Sequence, residues 1–175
     1  ALWGKLYGQW LCEGAVFVYN FDRFDASDIL PMFAKYHITT FCAPPTMYRM
    51  MIKEDLGKYD LSSIRHATTA GEALNPEVFR QFYNATGLEL MEGFGQTEMT
   101  LGIANLTGMT PKPGSMGKPT PLYDIKILRP DGMEADIGET GEICVNTSEK
   151  TPCGIFLGYY RNQEKTDEVW HDGVY

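Results

Sequence analysis

The chain has 175 residues, 43% of them apolar, and a formal net charge of −8. That acidity, with no basic stripe against it, excludes a nucleic-acid backbone as partner. The apolar share is ample for a core, and the apolar runs are too short to cross a bilayer, so disorder and a membrane span are both excluded.

No basic run precedes an apolar stretch in the manner of a secretory leader. The four cysteines, Cys12, Cys42, Cys144 and Cys153, form no CxxC pair. The histidines His37, His66 and His171 are scattered, so no zinc site suggests itself. Reduced, non-catalytic thiols fit a cytoplasmic setting.

Along the chain, AVFVY at 15–19 reads as a short apolar strand. Residues 28–36 read as a helix with Asp28 at its N-cap and Pro31 in its first turn. ITTFCA at 38–43 is β-branched and apolar, hence a strand, and the prolines at 44 and 45 open a helix running to about residue 55. After a turn at 61–63, IRHATTA at 64–70 is the next strand. Asn75 caps a helix with Pro76 at its first position, and Gly87 ends it. LELMEGFG at 88–95 supplies another strand. Strands alternating with helices predict an α/β subdomain, a helix-covered sheet, over residues 1–115.

The run at 107–121 carries too many glycines and prolines to be an element. Beyond it, Tyr123, Ile125 and Ile127 alternate with Asp124 and Lys126, the period of a half-buried strand. A Pro-Asp-Gly turn and GEICV follow, so residues 116–150 read as a small antiparallel sheet or part of a barrel. RNQEKTDEVW at 161–170 reads as a polar helix, and HDGVY as a turn entering a strand.

EGFGQTEMT, residues 92–100, is the segment richest in chemistry. Phe94 is shaped to lie against a base, Gly95 to leave space for an acyl group, Thr97 to donate to a phosphate oxygen and Glu98 to hold Mg2+. On the residues alone, Thr97 as a turn cap and Glu98 as a solvated acid stand equally beside those roles, and ordinary core packing is the alternative for Phe94. No Walker-type phosphate loop and no GxGxxG after a strand occurs, which sets a dehydrogenase aside. No histidine has the partners of a Ser-His-Asp triad. Met47, Met50 and Met51 have the helical spacing of core residues.

EGFGQTE resembles the aromatic-Gly-Gln-Thr-Glu motif of the adenylate-forming acyl-CoA synthetases, which are ATP-dependent acid–thiol ligases. TTAGEALNPEVF at 68–79 resembles their adenine-side Gly-Glu-Ala segment. GYYRNQEKTDEVWHDGVY at 158–175 is similar to the run before their Thr-Gly-Asp ribose motif. The three occur in family order across essentially the whole chain, nearest to the acetyl- to medium-chain and aryl branch.

The resemblance implies an α/β subdomain at 1–115 and part of a distorted β-barrel at 116–175, both from a larger AMP-binding domain. It further implies a fragment. The family's phosphate loop lies upstream, its lysine-bearing domain lies downstream, and the isolated residues are expected to be inactive. Thr97 and Glu98 match the catalytic pair, with Glu98 on Mg2+. Gly71, Glu72 and Ala73 match backbone groups bordering adenine, with Glu92, Gly93, Phe94, Gln96 and Thr97 completing the nucleotide side, although Gln96 reads also as a bridge between backbone groups. Thr69, Ala70 and Gly95 match the acyl side. Gly95 stands where acetate-specific enzymes carry tryptophan, which implies a medium-chain or aryl acid. Trp3, Lys5 and Gly8 match a region bordering the acyl and pantetheine channels, although Trp3 reads equally as a core anchor, and Lys5 is not the family's adenylation lysine. The implied partners are ATP or AMP, a small carboxylic acid, coenzyme A and the remainder of the same polypeptide, with no nucleic acid or membrane. The alternative is an adenine-nucleotide-binding module or structural fragment without catalysis.

Overall fold

Asp25 begins the longest helix of the N-terminal third. In the computed structural model, which describes residues 6–175, its backbone is extended and its carboxylate accepts the Ser27 N–H at 2.9 Å. It is therefore the N-cap, and the helix spans Ala26–Lys35. Asp28 falls in the first turn, and Pro31 lies inside the helix beyond that turn. The expected start is corrected by three residues because the capping carboxylate belongs to Asp25, not Asp28. Ala26, Ile29, Leu30 and Phe33 are buried, one apolar stripe at helical spacing. This helix is α2, after a short α1 at Gly8–Leu11. No strand forms at 15–19. Val18 is 80% exposed, and the apolar run finds no ladder to join. Trp3 and Lys5 lie outside the described residues.

Strands β1 (Thr40–Ala43), β2 (His66–Ala70) and β3 (Leu90–Phe94) pair in parallel and in chain order. Helices α3 (Pro45–Met51) and α4 (Pro76–Thr86) make the two crossovers. Sequential parallel strands with right-handed crossovers put both helices on one face. The core agrees: Leu30, Phe33, Tyr48, Met51 and Phe82 cluster with Ala43, Ala67 and Leu90. Tyr48 sits at its centre, edge-on to Phe41 and Phe82, with its hydroxyl donating to the Thr68 carbonyl at 3.0 Å. Helix α4 follows local chemistry closely. Asn75 accepts from the Glu77 N–H, Pro76 occupies the first turn, and Gly87 takes the left-handed conformation at φ 71°.

Two short strands extend this sheet, β4 (Ile103–Ala104), antiparallel to β3, and β5 (Lys118–Pro119) at the edge. The breaker-rich stretch before β5 is tied down by buried Asn105. Its side-chain amide donates to the carbonyls of Glu92 and Ser115, and its backbone N–H donates to the Glu92 carbonyl. At Gly117, φ is 106°, and an added Cβ would run into the Ala104–Asn105 backbone.

By internal contacts the chain divides into two units. The sheet just described, through Gln96 and again over Ile103–Lys118, is one. Thr97–Gly102 with Pro119–Tyr175 is the other. The division falls inside EGFGQTE.

In the second unit, β6 (Ile125–Leu128) pairs antiparallel with β7 (Glu142–Val145). Tyr175 extends that pairing by exchanging both backbone bonds with Val145. Helix α5 (Gln163–Val169) is capped by the Asn162 side chain, which accepts from the Lys165 N–H. The motif segment is stitched to residues 154–156: the Phe156 N–H donates to the Glu98 carbonyl at 2.6 Å, and the Thr100 N–H to the Gly154 carbonyl at 2.9 Å.

Candidate functional site

Ala70 and Gly93 are register partners at the carboxyl ends of β2 and β3. The Gly-Glu-Ala loop and the Phe-Gly-Gln segment therefore leave neighbouring strands at one sheet edge, where open α/β sheets bind ligands. Gly71 turns the chain there at φ 100°, with nothing within 4 Å of an added Cβ, so the backbone conformation alone requires glycine.

One step back in register, Thr69 pairs with Glu92. Both are buried, at 1% and 5% exposure. The Glu92 carboxylate turns to the loop and accepts the Leu74 N–H at 2.9 Å. The Thr69 hydroxyl is buried without a hydrogen-bond partner. Glu72 and Ala73 are exposed. The Glu72 carboxylate accepts the Thr46 hydroxyl at 2.9 Å and lies 3.4 Å from the Arg49 guanidinium. Phe94 and Gly95 are half-buried and Gln96 is exposed, with Phe94 in register against Ile103 of β4.

In the second unit Thr97 is exposed and Glu98 half-buried. The Tyr159 hydroxyl donates to Glu98 Oε1 at 3.1 Å. Tyr159 is itself held, its backbone N–H donating to the Thr166 hydroxyl at 2.9 Å and its ring meeting Phe156 edge-on. Lost hydration, then the hydrogen bond to Glu98, raises the Tyr159 phenol above its ordinary pKa. Tyr175 is pushed up to about 12 by lost hydration first and by the Glu98 charge second. The buried Trp170 indole N–H has no partner.

Sequence reasoning singled out Glu72, Glu92 and Glu98 but not the groups that hold them. The sequence assigns no role to Tyr159 within its motif and does not mark out Thr46, Arg49 or Leu74. Arg49 carried one signal, a cation one helical turn from a hydroxyl in a segment entering the sheet edge.

Among the described residues, no group of three or more His, Cys, Asp or Glu side chains is gathered as a metal cage. No helix among them is long and apolar enough to cross a membrane. A cleft in the second unit is lined by Leu122, Asp124, Asn146 and Cys153 among others, and contains no motif residue.

A family model described as AMP-binding enzyme matches residues 5–160. The mouse (Mus musculus) acyl-coenzyme A synthetase ACSM3, mitochondrial, is 39% identical over 99% of this chain and 30% of its own length. The human (Homo sapiens) acyl-coenzyme A synthetase ACSM4, mitochondrial, is 44% identical over 93% of this chain and 28% of its own. Among solved structures, the anthranilate CoA ligase AuaEII in complex with anthranoyl-AMP superposes with a TM-score of 0.88 at 28% identity, over 98% of this chain and 32% of that one. A Brucella canis acyl-CoA synthetase gives 0.87 at 26%, over 99% of this chain and 32% of that one. This chain thus spans about a third or less of the proteins it matches. The expected cytoplasmic setting is overturned by the ACSM3 and ACSM4 relatives, both named as mitochondrial. Reduced thiols do not distinguish the cytoplasm from another reducing compartment.

Proposed function

The chain belongs to the AMP-binding enzymes, and from that membership we propose that it is the central part of an ATP-dependent acid–thiol ligase. The enzyme activates a carboxylic acid as its acyl-AMP and passes the acyl group to coenzyme A. The observation that carries this reading is the register of β2 and β3, which brings TTAGEA and EGFGQ to one sheet edge. Relatives named acyl-coenzyme A synthetases, similar over nearly the whole chain, support it, as does a ligase of the same fold holding an acyl-AMP. We extend the relatives' mitochondrial compartment to this protein.

In the first half-reaction the acid's carboxylate oxygen bonds to the α-phosphorus and pyrophosphate departs. In the second, the thiol sulfur bonds to the acyl carbon and AMP departs. The backbone of Gly71, Glu72 and Ala73 borders the adenine, with the Phe94 ring against its face. Glu92 acts from beneath by fixing the Leu74 N–H, and Gly93 and Gln96 complete the nucleotide side. The Thr97 hydroxyl donates to phosphate oxygens, where negative charge gathers. Thr69 and Ala70 flank the acyl group, and the unpartnered Thr69 hydroxyl fits a polar atom arriving from outside these residues. Gly95 leaves the acyl pocket open, which favours medium-chain or aryl acids over acetate.

Mg2+ fits the chemistry of Glu98. It is a half-buried carboxylate with one oxygen already oriented by Tyr159. Magnesium is commonly held by one or two carboxylates together with substrate phosphates and water, so the lack of a protein cage is compatible. Bound there, it would supply charge neutralisation on the phosphate oxygens.

The test is Glu98→Gln in the full-length protein, with each half-reaction timed across a Mg2+ titration. Acyl-AMP formation is expected to fall sharply and to need more Mg2+, while thiol transfer from preformed acyl-AMP is largely spared. Equal losses in both halves, with unchanged Mg2+ dependence, would reduce Glu98 to a structural residue.

A further inference from the structure

We infer that Thr46 and Arg49 are positioning residues for the nucleotide loop, acting through the Glu72 carboxylate. The inference rests on the nucleotide reading of that loop and adds a device that the motif does not contain.

The loop's backbone is free where it turns. Gly71 has φ 100° and open space around it, so no neighbouring atom wedges the turn. Glu72 and Ala73 are exposed, so burial does not fix them either. What fixes the loop is polar and comes from two sides. From within, buried Glu92 accepts the Leu74 N–H. From without, helix α3 reaches across with Thr46 near its start and Arg49 in its last turn.

Helix α3 leaves the carboxyl end of β1, the strand paired with β2. Thr46 and Arg49 are three residues apart on it and present to the same side. The Thr46 hydroxyl donates to the Glu72 carboxylate and stands 2.9 Å from each of its oxygens. The Arg49 guanidinium donates to the Thr46 oxygen at 2.7 Å and reaches Glu72 Oε2 at 3.4 Å. The hydroxyl is thus satisfied as donor and acceptor at once. Residue 72 is thereby anchored to a helix, and the loop on either side of it inherits the helix's rigidity.

The charge matters as much as the geometry. A loose carboxylate beside a site for an anionic nucleotide would repel the phosphates. Pairing with Arg49 neutralises Glu72 and keeps it on the α3 side. Both partners are close to half exposed, at 47% and 46% for their side chains. An exposed pair of this kind adds little to global stability, so positioning and stability separate experimentally.

The experiment uses the full-length protein with AMP as the probe, titrated calorimetrically. Thr46→Val and Arg49→Met are each expected to weaken AMP binding on the order of five-fold, the scale of one modest interaction. They should raise the KM for ATP alike. The KM for the acid, kcat at saturating ATP and the melting temperature should stay near wild type. Thr46→Ser, which keeps the hydroxyl, should restore AMP affinity. Wild-type AMP affinity in Thr46→Val and Arg49→Met would overturn the inference. So would losses shared equally by ATP and acid in step with a fall in melting temperature. A wild-type protein that binds no AMP would instead overturn the nucleotide reading beneath it, and the inference with it.

Discussion

Replacing Tyr48 by phenylalanine and by alanine should separate the two things this residue does. Its side chain is fully buried, with ring centroids 5.6 Å from Phe41 and 5.1 Å from Phe82, both edge-on. Its hydroxyl makes one good bond, to the Thr68 carbonyl at 3.0 Å, and one long one, to the Phe41 carbonyl at 3.4 Å. Tyr48→Phe keeps the rings and removes the bonds. The good bond is worth about 1 kcal/mol net, and the long one adds little. For a chain of this size that is a fall of roughly 2–4 °C in melting temperature. Tyr48→Ala removes the ring, at about 3–5 kcal/mol, with the two edge contacts setting it toward the upper end. Urea unfolding followed by far-UV circular dichroism, read at constant m-value, gives both numbers. Burial holds the Tyr48 phenol far above its ordinary pKa, so it stays a donor through neutral and mildly alkaline pH. The Phe cost should therefore be the same at pH 6 and pH 9. A Phe variant as unstable as the Ala variant, or one with no measurable cost, would refute this account. The bond joins α3 to the strand whose far end carries the Gly-Glu-Ala loop, so the Phe variant also tests whether loosening that joint reaches nucleotide binding.

Gly95→Trp in the full-length protein should move preference toward short acids, since each methylene no longer accommodated forfeits about 0.8 kcal/mol of burial. Specificity constants for acetate, butyrate, hexanoate and benzoate check it, and an unchanged profile would separate residue 95 from the acyl side. Tyr175 gives a pH dependence. Its folded pKa of about 12 lies above its ordinary value of 10, so its contribution to stability is complete below pH 10 and is lost as the pH rises toward 12. Tyrosinate absorbance, with Trp170 emission as reporter of the neighbouring rings, should show a delayed phenol and a loosening in that window. Titration of every tyrosine near pH 10 would contradict it.

What was legible in the sequence was local. Asn75, Pro76 and Gly87 each satisfy helix ends through neighbours within four residues, and α4 came out as read. The choice between Asp25 and Asp28 as cap depends on which residue leaves helical φ/ψ, and both suit the chemistry. The strand expected at 15–19 failed for a different reason. A strand is defined by a partner, and an apolar run says nothing about whether one stands beside it. The motif residues were visible because EGFGQTE and TTAGEA are themselves contiguous. Their supports were hidden by separation: Thr46 lies 26 residues from Glu72, and Tyr159 lies 61 from Glu98. No periodicity links such pairs, and only the register of β1 with β2 and the stitching of 97–102 to 154–156 brings them together. Compartment was not legible at all, because thiol chemistry is the same in any reducing space.

The pairing of Glu98 with Phe156 and Tyr159 sets an order of events during synthesis. When EGFGQTE leaves the ribosome, the strands that carry its first half have already been made. Its acidic half must wait for another 61 residues before the Tyr159 hydroxyl exists. At about 5–20 residues per second that is a delay of roughly 3–12 s. Through that interval Met99, which is buried in the finished fold, has no Ile155 to pair with. A nascent chain halted between these points carries the whole motif as text and only half of it as structure.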